Sequence, residues 1–238
     1  MKEAGLTTHI GIVGVSPEGT ALFYRQLSRQ SGRILAPDQQ PRISVHNEPL
    51  GLYIEAIRRD DWHTVGKLLR RSAELLHRCG AQLCVTPDNA VQHAVSLAEV
   101  GSPVPWLTTT ELVAEVVAGA GRKKVGLIGT RLVTGGSAYQ THLGLRGAKM
   151  VPPEPEDSER LDRIIFEELI YGDIRDSSRM FVSGLTAKFA ARGCDAVIVA
   201  LSEAPLLLDG SASVLPVLDA SEILAAQAIR RLPASAVS

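Results

Sequence analysis

A short β-branched run that ends in glycine occurs near the start of each half of this chain. The first run is His9–Gly14, and the second is Lys124–Gly129. Polar turn residues follow both, and a segment with helical spacing of apolar residues follows the first turn. Strand, glycine turn and helix in this order predict parallel strand pairing, because parallel strands need a crossover connection. The repeat therefore predicts an α/β fold with two similar parallel-sheet, Rossmann-like domains.

The rest of the chain continues the alternation. Further predicted strands are the short apolar runs Arg42–His46, Ala81–Thr86, Val104–Leu107, Asp195–Leu201 and Val214–Leu218. Predicted helices have apolar residues at helical spacing: Thr20–Gln30, Trp62–Arg78, Asn89–Val100, Glu159–Leu169, Arg175–Ala191 and Ser221–Leu232. The proline-rich, acidic stretch Met150–Glu156 predicts a solvated loop. We expect residues 1–106 plus 208–238 to form the first domain and residues 107–207 the second.

Charge and hydropathy exclude several classes of protein. The chain has 238 residues with 25 basic and 26 acidic side chains, so its formal net charge is −1. Binders of nucleic acid or anionic membranes depend on a basic surface field, which this balance does not supply. No apolar stretch approaches the roughly 20 residues of a membrane span, and Met1–His9 lacks an apolar signal-peptide core. We therefore expect a soluble, cytoplasmic protein whose partners are neither nucleic acid nor membrane.

Short polar side chains follow most of the predicted strands. Ligands of open parallel sheets bind beyond the carboxyl ends of the strands, so these residues are candidates for a site. The candidates include Ser16-Pro17, His46-Asn47, Asp88-Asn89, Thr130 and Ser202-Glu203. Ser16 and Asp88 also precede helical runs, for which a helix N-cap is an alternative role. Gly11 and Gly14 make a poor dinucleotide loop, because the third glycine is missing.

Six segments with glycine, proline and short polar residues follow one another in a definite order. They are Ile10–Thr20 with Tyr24, Gly80–Asn89, Gly126–Thr130 with Tyr139-Gln140, Phe166–Leu169 with Gly172, Gly193–Leu207, and Pro216–Asp219. In sequence and order they resemble the aspartate/glutamate racemase superfamily over nearly the whole chain. The resemblance implies two pseudo-symmetric α/β domains with the site at their interface, chemistry without a cofactor, and a homodimer. It also implies two catalytic cysteines, one on each face of the substrate α-carbon.

None of the three cysteines occupies the family's thiol positions, which in this sequence are Asp88 and Leu201. Cys84 lies four residues before Asp88, and Cys194 lies seven before Leu201. At about 3.3 Å per strand residue, both are too far back to reach the cleft. We expect these two and Cys79 to be small buried hydrophobes. Their scattered spacing predicts no metal site.

The two substitutions limit the chemistry. Racemisation needs an acid/base group on each face of the α-carbon, and Leu201 cannot supply one. Asp88 is a weaker base than cysteine by roughly 6 kcal/mol from the reference pKa values of ~3.9 and ~8.5, and burial between domains would restore part of that difference. Glu203 is a candidate second proton donor. We expect racemase-like or one-sided, decarboxylase-like acid/base chemistry on a small carboxylate, an amino acid or a substituted malonate; the alternative is a catalytically silent member that binds such a ligand.

Nine residues are expected to contact the ligand. They are Ser16, Pro17, His46, Asn47, Asn89, Thr130, Ser137, Leu201 and Ser202. By resemblance, the amides and hydroxyls among them surround a substrate carboxylate at helix N-termini, where aligned amides favour anions. His46 is a candidate because histidine as a residue type can change its charge under physiological conditions, although a hydrogen-bonded histidine at a strand end is the alternative. Arg42 begins its strand, so we expect it at the end away from the site.

Overall fold

The computed structural model describes residues 8–207 and 213–231, whose strands form two four-stranded parallel sheets. The first sheet contains β1 (His9–Gly14), β2 (Arg42–Asn47), β3 (Leu83–Val85) and β4 (Trp106–Leu107) in the order β2-β1-β3-β4. The second contains β5 (Lys124–Ile128), β6 (Lys149–Val151), β7 (Ala196–Val199) and β8 (Val217–Asp219) in the order β6-β5-β7-β8. The two sheets have the same strand order, which confirms the predicted α/β fold with two pseudo-symmetric sheets.

Helices connect these strands. In the first half they are α1 (Pro17–Ile34), α2 (Leu50–Arg58), α3 (Trp62–Arg78) and α4 (Gln92–Glu99). The remaining helices are α5 (Thr109–Gly119), α6 (Arg131–Gly135), α7 (Ser137–Leu145), α8 (Pro155–Glu167), α9 (Asp176–Ala191), α10 (Ala204–Leu207) and α11 (Ala220–Arg230). Short 3₁₀ helices cover Pro37–Gln39, Asn89–Val91 and Leu169–Tyr171. No helix in the described part of the chain has the length and apolar character needed to cross a membrane.

Helix α3 shows why the sequence pattern succeeds for long elements. Its buried apolar residues recur at helical spacing and pack on the first sheet: Val65, Leu69, Ala73 and Leu76. The Asp61 side chain accepts a hydrogen bond from the Thr64 amide at 3.0 Å and caps the first turn. Gly80 follows the last turn with φ +96°, a conformation that favours glycine. The predicted bounds of this helix are therefore confirmed.

The sheets are covered by helices on both faces. Helices α3 and α4 pack on one face of the first sheet, and α1 and α11 pack on the other. Helices α8 and α9 cover one face of the second sheet, and α5 and α7 cover the other. Helix α5 lies between the sheets, because Leu112 packs with the first core and Val113 with the second. The central strands are thus buried on both sides.

The structure differs from the sequence expectation in several places. Strand β8 pairs with β7 in the second sheet, whereas the predicted division put it in the first domain. Helix α11, which follows β8, packs on the first sheet. The stretch Met150–Glu156 is not wholly a loop, because β6 pairs along β5 and α8 begins at Pro155. Proline suits that first helical position, where no amide partner is needed. Five helices were not predicted: α2, α5, α6, α7 and α10.

The rest of the chain is not described. Three segments of the predicted domains lie outside the described residues: 1–7, 208–212 and 232–238. The last segment includes Leu232, the predicted end of the last helix.

Candidate active site

A cleft of about 350 Å³ opens at the carboxyl ends of the two central strands of each sheet, β1 and β3 in the first and β5 and β7 in the second. The chain crosses over in opposite directions from these central strands, which is where open α/β sheets bind ligands. Six polar residues at these strand ends line the cleft, and we name them the strand-end group: Ser16, Asp88, Asn89, Thr130, Ser202 and Glu203. The two sheets therefore meet where the sequence predicted a site.

Hydrogen bonds join the two halves at Ser16 and Glu203. The Ser16 hydroxyl donates to Glu203 Oε1 at 2.6 Å and also accepts from the Gly19 amide at 3.2 Å, so Ser16 caps α1 as well. The Ser202 hydroxyl donates to Glu203 Oε2 at 3.0 Å. Glu203 is only 3% exposed. Both oxygens of this buried carboxylate are thus satisfied by hydroxyls, as a buried charge requires.

Gly19 allows this close contact. A Cβ atom at Gly19 would lie 2.1 Å from Ser202 Oγ and 2.9 Å from Glu203 Oε1. Any larger side chain would push the first turn of α1 away from the second half. Glycine at this position therefore sets the separation of the two halves beside the cleft.

Asp88 both caps its own helix and lines the cleft. Its Oδ1 accepts a hydrogen bond from the Ala90 amide at 2.9 Å. Burial and, after it, the nearby Glu203 carboxylate raise the pKa of Asp88 to about 6, against the lowering effect of hydrogen bonds from the Ala90 and Ser16 amides. Loss of hydration and a like charge both disfavour the ionised form. Asp88 is consequently a stronger base than an exposed aspartate.

Asn89 is held by a residue of the other half. The Tyr139 hydroxyl donates to Asn89 Oδ1 at 2.6 Å, and Asn89 Nδ2 donates to the Pro87 carbonyl at 3.2 Å. Asn89 and Tyr139 are both buried, and burial raises the pKa of the Tyr139 phenol well above its ordinary value. The tyrosine therefore stays a hydrogen-bond donor and fixes the orientation of the Asn89 carboxamide.

In the second half, Thr130 and Leu201 occupy the corresponding strand ends. The Thr130 hydroxyl accepts from the Val133 amide at 3.3 Å and caps α6. Leu201 follows β7, is 5% exposed and lines the cleft. The cleft wall at this strand end is thus a hydrocarbon side chain that cannot take up or release a proton.

The cysteines lie away from the cleft, because none of the three is among its lining residues. Cys84 is buried in β3, where burial raises the pKa of its thiol to about 12, and Cys194 is buried before β7, where burial likewise raises the pKa. Both are the buried hydrophobes that we predicted. The prediction was wrong for Cys79, which is exposed. It lies at the C-cap of α3, on the solvent side of that turn.

Four predicted ligand contacts lie outside the cleft. Pro17 is exposed in the first turn of α1. His46 Nδ1 is hydrogen-bonded to Ser72 Oγ at 3.0 Å, and the exposed Asn47 side chain covers Gly14. Both are the last residues of β2, the outermost strand of its sheet, whose carboxyl end is displaced from the central pair. Ser137 lines a neighbouring cavity of about 190 Å³ instead.

Helix α2, which the sequence did not predict, provides one wall of the cleft. Leu50, Tyr53, Ile54 and Ile57 line it at positions i, i+3, i+4 and i+7 of a helix. This spacing puts them on one face. The same spacing after Pro49 was the signal in the sequence that could have revealed both the helix and its role.

The opposite wall comes from the second half and is also apolar. It contains Leu132 and Val133 of α6, Ile165 and Phe166 of α8, and Ile170. We call this set and the four α2 residues the apolar wall. Two charged residues border it. Asp162 accepts a hydrogen bond from the Arg131 amide at 2.8 Å, and Arg58 is exposed at the end of α2.

The described residues contain no group of three or more histidine, cysteine, aspartate or glutamate side chains that could hold a metal ion.

The comparison with protein-family models decides the family. The model for Asp/Glu/Hydantoin racemase matches residues 12–228, which include most of both sheets and all the residues that line the cleft. The chain belongs to the Asp/Glu/Hydantoin racemase family. This confirms the resemblance seen in the sequence.

Solved structures of racemases share the fold. A candidate Asp/Glu racemase from Yersinia pestis is 26% identical with a TM-score of 0.83, and the match covers 94% of this chain and 98% of that one. An aspartate racemase homologue from Pyrococcus horikoshii is also 26% identical, with a TM-score of 0.81 and the same two coverages of 94% and 98%. Glutamate racemase from Aquifex pyrophilus, at 18% identity and a TM-score of 0.65, matches over 96% of this chain and 85% of its own. The two-sheet architecture is thus that of a racemase-family protein.

Proposed function

We propose that this chain is a racemase-family enzyme that performs one-sided acid/base chemistry at the α-carbon of a small carboxylate, without a cofactor. Asp88 is the acid/base group in this proposal, in the position of the first family cysteine. Leu201 replaces the second and closes the other side. The observation that carries the proposal is the Asp88 carboxyl, which lines the cleft with a pKa raised to about 6.

The raised pKa bears directly on the chemistry. A shift from 3.8 to about 6 corresponds to roughly 3 kcal/mol of additional proton affinity. Asp88 nevertheless remains largely ionised at pH 7, as a base must be. The raised pKa recovers about half of the difference in proton affinity between an ordinary aspartate and cysteine. A substrate with a more acidic α-proton, or a malonate that loses carbon dioxide, would react with a weaker base.

The proposed step moves one proton. The Asp88 carboxylate accepts the α-proton, the carbon–hydrogen bond breaks, and its electron pair is delocalised into the substrate carboxylate as an enolate. Asp88 then returns the proton to the same face of the carbon. With a substituted malonate, the carbon–carbon bond to the leaving carboxylate breaks instead, and a protonated Asp88 supplies the proton to the enolate. Both routes deliver the proton from one side.

Other members of the strand-end group assist in this proposal. Glu203 keeps the proton affinity of Asp88 high through its charge, and Ser16 and Ser202 hold it in place. Asn89 and Thr130 would bind the substrate carboxylate, since the Asn89 carboxamide keeps one N–H beyond its bond to Pro87. These roles follow from lining the cleft together with Asp88.

The second candidate is a family member that binds a small carboxylate and does not turn it over. The absence of a proton-transferring side chain at Leu201 and the capping bond from the Ala90 amide to Asp88 favour it. The two candidates agree on the ligand and differ on the fate of its α-proton.

Exchange of the α-proton separates them. The chain is incubated in deuterated water with aspartate, glutamate, leucine and phenylalanine in both enantiomers, and NMR follows the α-proton. We expect exchange above a no-protein control, lost in Asp88→Asn and retained in Asp219→Asn. Asp219 is a matched control: it lies at the end of a strand, caps a helix and, like Asp88, has a pKa raised to about 6, but it does not line the cleft. Binding without exchange would identify the binding protein.

A further inference from the structure

The cleft is divided into a polar end and an apolar end. The strand-end group forms the polar end, where the proposed chemistry takes place. The other residues that line the cleft are the apolar wall, the charged residues Arg58 and Asp162, and four apolar residues close to the strand ends: Val15, Ala90, Ala200 and Leu201. A ligand whose α-carbon lies beside Asp88 would therefore direct its side chain along the apolar wall.

Helix α2 presents a continuous hydrocarbon face to that ligand. Its four lining residues are consecutive on one side of the helix, and Ile54 and Ile57 are partly exposed there. Tyr53 is fully buried within this face, its hydroxyl included. The partly exposed side chains of this face, Leu50, Ile54 and Ile57, carry no hydrogen-bond donor and no charge, and Arg58 follows them at the end of the helix.

The charges in the cleft disfavour an acidic side chain. Asp88, Glu203 and Asp162 all line it, so a second carboxylate on the ligand would be repelled and would lose its hydration against hydrocarbon. Arg58 is the one cation among the described lining residues, and it is exposed at the end of α2. A cation that remains in water binds an anion weakly.

We infer that the ligand is a small carboxylate with an apolar side chain, about the size of leucine or phenylalanine, and not an acidic amino acid. The volume of about 350 Å³ is at the lower end of the roughly 300–1,000 Å³ typical of small-molecule sites. The inference rests on the proposed function, which places the α-carbon beside Asp88. It names the substrate class of that same site.

Matched pairs of ligands test the inference by isothermal titration calorimetry on the whole chain. L-Leucine and L-aspartate have side chains of the same branched shape, and so do isobutylmalonate and carboxymethylmalonate. We expect the apolar member of at least one pair to bind about tenfold or more tightly than its acidic partner. Tighter binding of the acidic members, or binding of no member at millimolar concentrations, would overturn the inference.

Two lysine variants on α2 locate the preference. Ile54→Lys should reduce the leucine-to-aspartate affinity ratio about tenfold, because it puts a cation on the wall. Leu52→Lys should leave the ratio unchanged, since Leu52 is 43% exposed on the same helix and does not line the cleft. Ile54→Ala gives a second measurement if the lysine variant does not fold by circular dichroism, with an expected loss of leucine affinity of about fivefold. Equal effects of Ile54→Lys and Leu52→Lys would overturn the inference.

The outcomes also separate the inference from the proposed function. Preferential binding of aspartate with Asp88-dependent exchange of its α-proton would overturn the inference and leave the role of Asp88 intact. Preferential binding of leucine without exchange would support the inference and contradict the proposed catalysis.

Discussion

The two halves of the molecule have the same strand order but end their equivalent strands differently. The residues that follow the equivalent strands β1 and β5 match. The Ser16 hydroxyl caps α1, and the Thr130 hydroxyl caps α6. The residues that follow the other equivalent pair of strands differ, because Asp88 follows β3 and Leu201 follows β7. The backbone is pseudo-symmetric, whereas the side chains that follow β3 and β7 are a carboxyl group in one half and a hydrocarbon in the other. A repeated fold thus supplies equivalent positions, and the side chain at each position decides whether it takes part in chemistry.

The contact between the halves should give the largest stability effect. Gly19→Ala would place a methyl group 2.1 Å from Ser202 Oγ, so we expect a loss of about 3 kcal/mol in unfolding free energy despite the better helix propensity of alanine. Urea unfolding measures it. Gly184→Ala in α9 is the control, since a Cβ there contacts nothing within 4 Å and should stabilise by about 0.5–1 kcal/mol. Equal behaviour of the two variants would show that the halves are not closely packed at Gly19.

The charge of Asp88 should appear in the pH dependence of stability. Its folded pKa of about 6 lies above the reference value of 3.8, so the folded state keeps a proton that the unfolded state has released. Stability from this group is therefore present at low pH and is lost as the pH rises, by about 2 kcal/mol between pH 4 and pH 7.

Urea unfolding at several pH values measures this dependence of stability on pH. Asp88→Asn should remove the part that comes from Asp88, whereas Asp38→Asn, at an exposed position, should leave the dependence unchanged. An unchanged slope in Asp88→Asn would contradict the burial of this carboxyl. If Asp88 is the base, turnover should also rise as the pH increases through about 6.

The smallest predicted effect concerns the bond from the second half to Asn89. Tyr139→Phe leaves Asn89 Oδ1 buried without its donor, and we expect a loss of about 1 kcal/mol in unfolding free energy and weaker ligand binding. Tyr171→Phe, at an exposed tyrosine, should change neither. If Tyr139→Phe changes stability and leaves ligand affinity intact, Asn89 has no part in binding.

The sequence predicted the elements whose signal is local. Strands β1 and β5 and helix α3 are long or strongly patterned enough to be recognised without tertiary contacts. Helix α2 was missed because nine residues that begin Leu-Gly form a marginal helix alone and depend on packing against the first core. Strand β6 was missed because a three-residue edge strand needs β5 to define it.

The candidate site divides in the same way. The polar residues at the ends of the central strands could be listed from the sequence, because position after a strand is a local property. Which of these residues lie beside the cleft could not be predicted, because that depends on the order of the strands in each sheet. His46 and Asn47 are the last residues of β2 and Asp88 follows β3, but β2 is at the sheet edge and β3 is central. The apolar wall depends on α2 and was therefore missed with it.

The central claim is that proton transfer occurs from one side, and stereochemistry tests it most directly. One enantiomer of the amino acid that exchanges fastest is incubated with the chain in deuterated water, and deuterium content and enantiomeric composition are measured together by NMR and chiral chromatography. The account predicts deuterium at the α-carbon with retention of configuration in the wild type. It also predicts that the opposite enantiomer appears when Leu201→Cys adds a thiol on the second side. Racemisation by the wild type at the rate of exchange would contradict it.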